Sequence, residues 1–160
     1  MPVSLDIDLN HQVLTLLRDG RPWVCYRVST ARNGPGERTG SECTPRGHHR
    51  IRAMIGASLP VGAVLVGRRP TGEVFCSELA LAHPQRDWIL SRILWLCGNE
   101  PGFNRGGRVD SQRRYIYIHG TPDSQPMGIP LSHGCVRMRN ADVIDLFERV
   151  APGTPVFIHT

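Results

Sequence analysis

IYIHGTPDSQPMGIPLSHGCVRMRN, residues 116–140, is the stretch from which the fold and chemistry of this chain are read. It holds two His-Gly dipeptides, His119-Gly120 and His133-Gly134, and Cys135 follows the second directly. Thiolate is the reactive form of cysteine, and a nearby imidazole can take the proton that stands in its way. From Arg114 to His119 the residues alternate as a strand does, with Tyr115, Tyr117 and His119 on one face and Ile116 and Ile118 on the other. His119 therefore ends a strand beside two tyrosines, sixteen residues before Cys135, and is the candidate base. A backbone carbonyl such as that of Gly120 would orient its second ring nitrogen. Gly134 permits a tight turn, in which the N–H groups of Gly134 and Cys135 can converge on one oxygen.

Downstream, Asn140 is placed to cap a helix in which Val143, Leu146, Phe147 and Val150 follow the i, i+3, i+4, i+7 rule. Pro152-Gly153 ends that helix and Pro155–Ile158 supplies a last strand. Upstream, Leu5, Ile7 and Leu9 alternate with Asp6 and Asp8, and Asp19-Gly20 separates two apolar runs as a hairpin turn does. The segment 31–47 is rich in Gly, Arg, Ser and Thr with breakers at Pro35 and Pro45, so it is expected to cross the surface. Its length inside a compact domain suits a functional loop. Further strands are expected over His49–Ile55, and over Val61–Val66 and Glu73–Phe75 as a pair turning around Pro70-Thr71-Gly72. WILSRILWL, residues 88–96, fits helix or buried strand. Its shortness, with Pro84 and Gly98 flanking it, favours strand.

At 160 residues the chain suits a single domain, residues 1–160, with a sizeable core. Gly (17) and Pro (13) are abundant and long periodic helices are few, which points to a mainly β fold with one or two helices. The net charge is +5 and every one of the 19 basic residues is Arg, a bias that fits genome composition or a preference for carboxylate ligands. The arginines are scattered and form no aromatic-basic cluster, so nucleic acid is not expected as a partner. No run approaches the roughly 18 apolar residues of a membrane span. The five cysteines are an odd number without C-x-x-C spacing, which excludes a zinc ribbon and leaves a free thiol. No metal site and no cofactor is expected; the adjacent His48 and His49 read as solvated strand-edge residues. Cys25, Cys43, Cys76 and Cys97 are expected to be inert, with Cys43 the one that can approach the cleft.

Taken together, IYIHGT, SHGCVRMRNADVIDLF and GTPVFI resemble the L,D-transpeptidase (YkuD-type) catalytic domain, whose signature is a histidine, a spacer and Ser/Thr-His-Gly-Cys. Here these are His119, residues 120–131, and Ser132, His133, Gly134 and Cys135. VSTARNG, GSECTPRGHHRI and RRPTGE are compatible with the same family, although the specific motif lies in the last third of the chain. The resemblance implies a YkuD-like β-sandwich, a cysteine acyl-enzyme, and peptidoglycan stem peptides or muropeptides as substrate. It implies that Cys135 attacks the carbonyl of the third stem residue, usually a diamino acid, and releases the terminal D-alanine. His119 would deprotonate the thiol and then protonate the leaving amine, with His133 shaping the turn. Arg137, Ser132, Tyr117 and Arg46 are the candidate substrate contacts, and carbapenem-type inhibitors are possible ligands.

The fate of such an acyl-enzyme depends on what attacks it. The first residues lack the basic start and apolar run of a secretory signal, and the cysteines suit a reducing compartment. The expected location is therefore cytoplasmic, or periplasmic if a leader has been removed. Water is then the expected acceptor, giving an L,D-carboxypeptidase that trims tetrapeptides to tripeptides in muropeptide recycling. The alternatives are an L,D-transpeptidase that forms cross-links or exchanges the terminal D-amino acid, and a non-catalytic binder of wall peptides.

Overall fold

The structure is a computed structural model that describes residues 2–160. Ten strands pair into one curled mixed sheet, and two helices pack on it. The N-terminal meander, β1 (Val3–Asp8), β2 (Val13–Arg18) and β3 (Arg21–Arg27), is antiparallel. Its second turn is Asp19-Gly20, both at positive φ (53° and 76°), as the right-handed twist of a two-residue hairpin demands. The sheet continues through β10 (Pro155–His159), which lies parallel to β1, then β4 (Gly47–Ile55), β7 (Ile89–Gly98), β5 (Ala63–Val66) and β6 (Arg69–Val74). The ambiguous segment around residues 88–96 is thus a strand of ten residues, buried on both faces along most of its length.

A second branch leaves β7 and carries residues 116–140. β8 (Tyr117–Thr121) pairs antiparallel with β7, and β9 (Val136–Arg139) pairs parallel with β8 in the register Ile118↔Val136, His119↔Arg137, Gly120↔Met138. Ile118, Val136 and Met138 are fully buried and join Leu94, Leu96, Ile7, Leu14 and Ile158 in the main core. Helix α2 (Asn140–Arg149) closes that core with Val143, Leu146 and Phe147, the stripe its spacing predicts. The opposite face of β8 packs Tyr117 with Leu65 and Ile93, and Cys135 lies against that smaller cluster.

Several expectations are corrected. The β5–β6 turn lies at Gly67-Arg68, between the paired Val66 and Arg69, and Pro70 is inside β6. Proline is tolerated there because β6 is the last strand of the sheet order, with a free edge that needs no N–H. β8 begins only at Tyr117, since Tyr115 has a positive φ of 56° that breaks the extended run. Asn140 is the first helical residue rather than a cap. Its Oδ1 accepts from Ser91 Oγ (2.6 Å) and its Nδ2 donates to the Thr121 carbonyl (3.0 Å), which ties α2 to β7 and β8. His48 is exposed, but His49 is 1% exposed on an interior strand, bonded through Nε2 to Ser111 Oγ at 2.8 Å. A short helix, α1 (Ser77–Ala82), lies between β6 and β7 where no helix is expected from the sequence.

Close approach of β7 and β8 requires Gly120. A Cβ there would lie 2.5 Å from the Leu90 carbonyl oxygen and 2.5 Å from Asn140 Oδ1. Gly120→Ala should therefore lower the unfolding free energy in denaturant titrations by roughly 2–3 kcal/mol, the cost of overpacking a rigid interior site.

Candidate active site

Alternation along the parallel β8–β9 pair builds the site. Tyr117 and His119 share the face of β8 that looks away from the main core. The register sets Arg137 beside His119, and Cys135, just before β9, falls beside Tyr117. These four side chains line one cavity of about 520 Å³, together with Gly67, Arg68, Asp87, Ile89, Tyr115, Ser132 and His133.

Cys135 is partly buried and free. Its Sγ accepts the Tyr117 N–H at 3.3 Å and lies 3.3 Å from the Tyr115 carbonyl, toward which the S–H points. Burial pushes the thiol pKa up to about 11. The Tyr117 N–H and the Arg137 and Arg114 guanidinium groups oppose that push, and Asp87 adds to it. The sulfur is a neutral thiol at neutral pH in this state.

His119 is 1% exposed, and its Nδ1 lies 2.6 Å from the Gly120 carbonyl oxygen. A carbonyl only accepts, so Nδ1 carries the hydrogen and Nε2 keeps its lone pair. Burial lowers the imidazole pKa, and the Gly120 carbonyl and Asp87 only partly offset this. The resting pair is therefore neutral on both sides, a thiol and an imidazole with a free basic nitrogen. The carbonyl of Gly120 has the orienting role that the sequence suggests for it.

The turn before Cys135 is held from beneath. Ser132 is 2% exposed; its hydroxyl donates to the Cys135 carbonyl (2.6 Å) and accepts the Gly134 N–H (3.2 Å). The Gly134 N–H is thus not aimed into the cavity, contrary to the paired-donor expectation. Among the described residues no acceptor holds the Cys135 N–H. Gly134 has φ 132°, and a Cβ there would meet the Cys43 carbonyl at 3.2 Å. Thr44, fully buried, donates to the Gly134 carbonyl (2.9 Å) and accepts the Ala31 N–H (3.0 Å). Arg114 Nη2 donates to the Cys43 carbonyl at 2.6 Å. The 31–47 loop is therefore a brace under the cysteine turn, and residues 29–32 run beside it, bridging Ser29 to Arg137 and Ala31 to Ser132.

The other sequence candidates fall in different places. Arg137 is buried and reaches Asp87 (3.1 Å) and the Leu131 carbonyl (3.4 Å) from the cavity wall. His133 is exposed and its Nδ1 is 3.7 Å from Glu42, so it lines the rim rather than shaping the turn. Arg46 is spent on a two-pronged contact with Glu37 (2.9 Å and 2.9 Å) and does not line the cavity. Two charged lining residues lie outside the set of sequence candidates. Asp87 stands in the PQRDW connection to β7, and Arg68 at the β5–β6 tip donates to Tyr117 Oη at 3.0 Å. Neither carries a local pattern that would mark it.

The raised thiol pKa has a direct readout. A thiol reacts as thiolate, so alkylation of Cys135 in the resting protein should keep climbing with pH toward about 11, whereas an ordinary thiol levels off near ~8.5. Iodoacetamide rates at each pH, resolved by peptide mapping, check this; a plateau below pH ~8 would contradict the neutral resting pair.

The architecture has known counterparts. The family model described as the L,D-transpeptidase catalytic domain, YkuD, matches residues 2–158. The probable L,D-transpeptidase YbiS of Escherichia coli K12 is 51% identical over 43 residues, 27% of this chain and 14% of that protein. The putative L,D-transpeptidase YkuD of Bacillus subtilis 168 is 31% identical over 109 residues, 68% of this chain and 55% of that one. The chain thus spans about half, or much less, of the length of these relatives. Among solved structures, L,D-transpeptidase 3 from Mycobacterium tuberculosis in complex with a faropenem-derived adduct shares the fold. Its TM-score is 0.59 at 16% identity, over 99% of this chain and 60% of that one. With the family model matched across residues 2–158 and the SHGC cysteine and strand-end histidine lining one cavity, the chain belongs to the L,D-transpeptidase (YkuD) catalytic-domain family.

Proposed function

We propose that this chain, acting as one catalytic unit, is a cysteine acyl-transferase on peptidoglycan stem peptides, with Cys135 as nucleophile and His119 as base. One observation carries the reading: Cys135 and His119 line the same cavity, and the imidazole is oriented by Gly120 so that Nε2 can accept a proton. Because the thiol rests neutral, its proton passes to His119 Nε2 as sulfur attacks the carbonyl of the third stem residue. The tetrahedral oxygen takes the Cys135 N–H. Collapse breaks the C–N bond to the terminal D-alanine, the imidazolium returns its proton to the leaving amine, and a thioester remains on Cys135. Arg137, Tyr117 and the rim residue His133 contact the peptide, while Ser132, Gly134 and Gly120 hold the reacting groups in position.

For the second half-reaction we favour water, which hydrolyses the thioester and gives a cytosolic L,D-carboxypeptidase that trims tetrapeptides to tripeptides. The five free cysteines support a reducing compartment, where soluble muropeptides rather than wall amines are the available substrate. The similarity to proteins described as L,D-transpeptidases favours the other reading, in which an amine or a D-amino acid takes the acyl group. A carbapenem would acylate Cys135 in either case. If the fold served only to bind wall peptides, no covalent adduct would form.

Incubation with a soluble tetrapeptide, followed by mass spectrometry, separates the three. Tripeptide plus free D-alanine is the expected product. Cross-linked dimer without tripeptide would overturn the hydrolytic preference, and intact peptide with no adduct on the wild-type protein would overturn catalysis. Cys135→Ala should abolish turnover and the carbapenem adduct, and His119→Ala should slow acylation by roughly 10²- to 10⁴-fold.

A further inference from the structure

Arg68 breaks a local rule. It occupies the second position of a two-residue hairpin turn with φ 64°, a site that favours Gly, Asn or Asp over a long side chain. Residues kept in such conformations against local preference concentrate at functional sites. Its guanidinium is gathered in by aromatic groups: it lies 4.7 Å from the Trp95 ring centre and 5.0 Å from that of Tyr115, and it donates to Tyr117 Oη at 3.0 Å. Aromatic faces hold a cation in place without neutralising it.

Among the described residues no carboxylate lies within ion-pair distance of Arg68, whereas Arg46, Arg86, Arg137 and Arg149 each have one. The Tyr117 hydroxyl takes one of its five N–H donors, the Tyr115 side chain stands beside the same guanidinium, and neither phenol neutralises its charge. It also lines the Cys135 cavity, and a single residue links the two: Tyr117 gives its N–H to Cys135 Sγ and its hydroxyl oxygen to Arg68. The cavity's other guanidinium, Arg137, is already engaged by Asp87 and the Leu131 carbonyl.

We propose that Arg68 is the carboxylate receptor of this cavity, and that it positions the acyl-donor peptide by binding a free carboxylate one residue or less from the bond that Cys135 attacks. The proposal rests on the reading of Cys135 as the acylated residue. A guanidinium fork matches a carboxylate through two parallel, charge-assisted hydrogen bonds. Two carboxylates of a stem peptide meet the description: the terminal one on the departing D-alanine, and the side-chain one of a diamino diacid at the third position.

The test compares three peptides on wild type, Arg68→Gln and Arg68→Lys: the tetrapeptide, its C-terminal amide, and its third-residue side-chain amide. In the wild type, one amide should be consumed roughly 10- to 100-fold more slowly in kcat/KM than the free acid, and which one it is identifies the carboxylate. In Arg68→Gln the free acid should slow by a similar factor and the acid-over-amide preference should vanish, while Arg68→Lys recovers part of it. A merely structural role would slow all three peptides alike. Indifference of the wild type to both amides, or a preference that survives Arg68→Gln, would overturn the assignment while leaving catalysis by Cys135 intact. If no peptide acylates the wild type, catalysis by Cys135 falls, and calorimetric binding to Cys135→Ala with and without Arg68→Gln decides the carboxylate site by the same acid-over-amide comparison.

Discussion

The parallel pairing of β8 with β9 is the constraint on which the site depends. Two neighbouring parallel strands cannot be joined by a tight turn, so the chain needs a crossover. Residues 122–135 provide it, and their final turn carries the SHGC motif. Ile118, Val136 and Met138 hold the register, because a slip of one residue would turn these buried side chains outward. That same register sets Arg137 beside His119 and brings the cysteine sulfur against the Tyr117 N–H. Packing of the inner face thus decides the chemistry of the outer one.

The electrostatics follow from where this face lies. His119 is nearly sealed off and Cys135 is partly so; burial outweighs the guanidinium groups at the thiol and the Gly120 carbonyl and Asp87 at the imidazole, leaving both partners uncharged at rest. In the proposed reaction such a neutral pair exchanges its proton as the attack on substrate develops charge. The brace under the turn has a matching purpose. Thr44, Ser132 and Arg114 fix the backbone around Gly134, so the sulfur is held on a rigid support although the segment that supplies Thr44 is irregular. Its irregular composition marks it as a loop, yet nothing in that composition reveals that it is partly buried and structural.

Local pattern was readable wherever a residue's neighbours along the chain decide its environment. The alternation at Ile116–His119, the Asp19-Gly20 turn, the α2 stripe and the strand character of residues 89–98 are of this kind. Reading failed where a distant element intervened. Asn140 looks like a cap, but Ser91 and the Thr121 carbonyl claim its side chain. His49 sits in an apparently polar His-His-Arg run, and only the flanking β10 and β7 bury it. Arg46 lies close in sequence to the brace residue Thr44, but Glu37 captures it. The β5–β6 turn moved off the Pro-Thr-Gly triplet because an edge strand can absorb a proline.

By itself the sequence determined the chemistry on offer: a cysteine after a glycine turn, a histidine at a strand end, and a mainly β frame with one amphipathic helix. These depend on residue type and short-range periodicity, which no partner can alter. Only the tertiary structure decided which groups share the cavity, that Ser132 and the Gly134 N–H are spent on the turn, and that Asp87 and Arg68 line the same cavity as the thiol. Those outcomes depend on desolvation and on pairings between residues tens of positions apart, quantities that exist only once the sheet has closed.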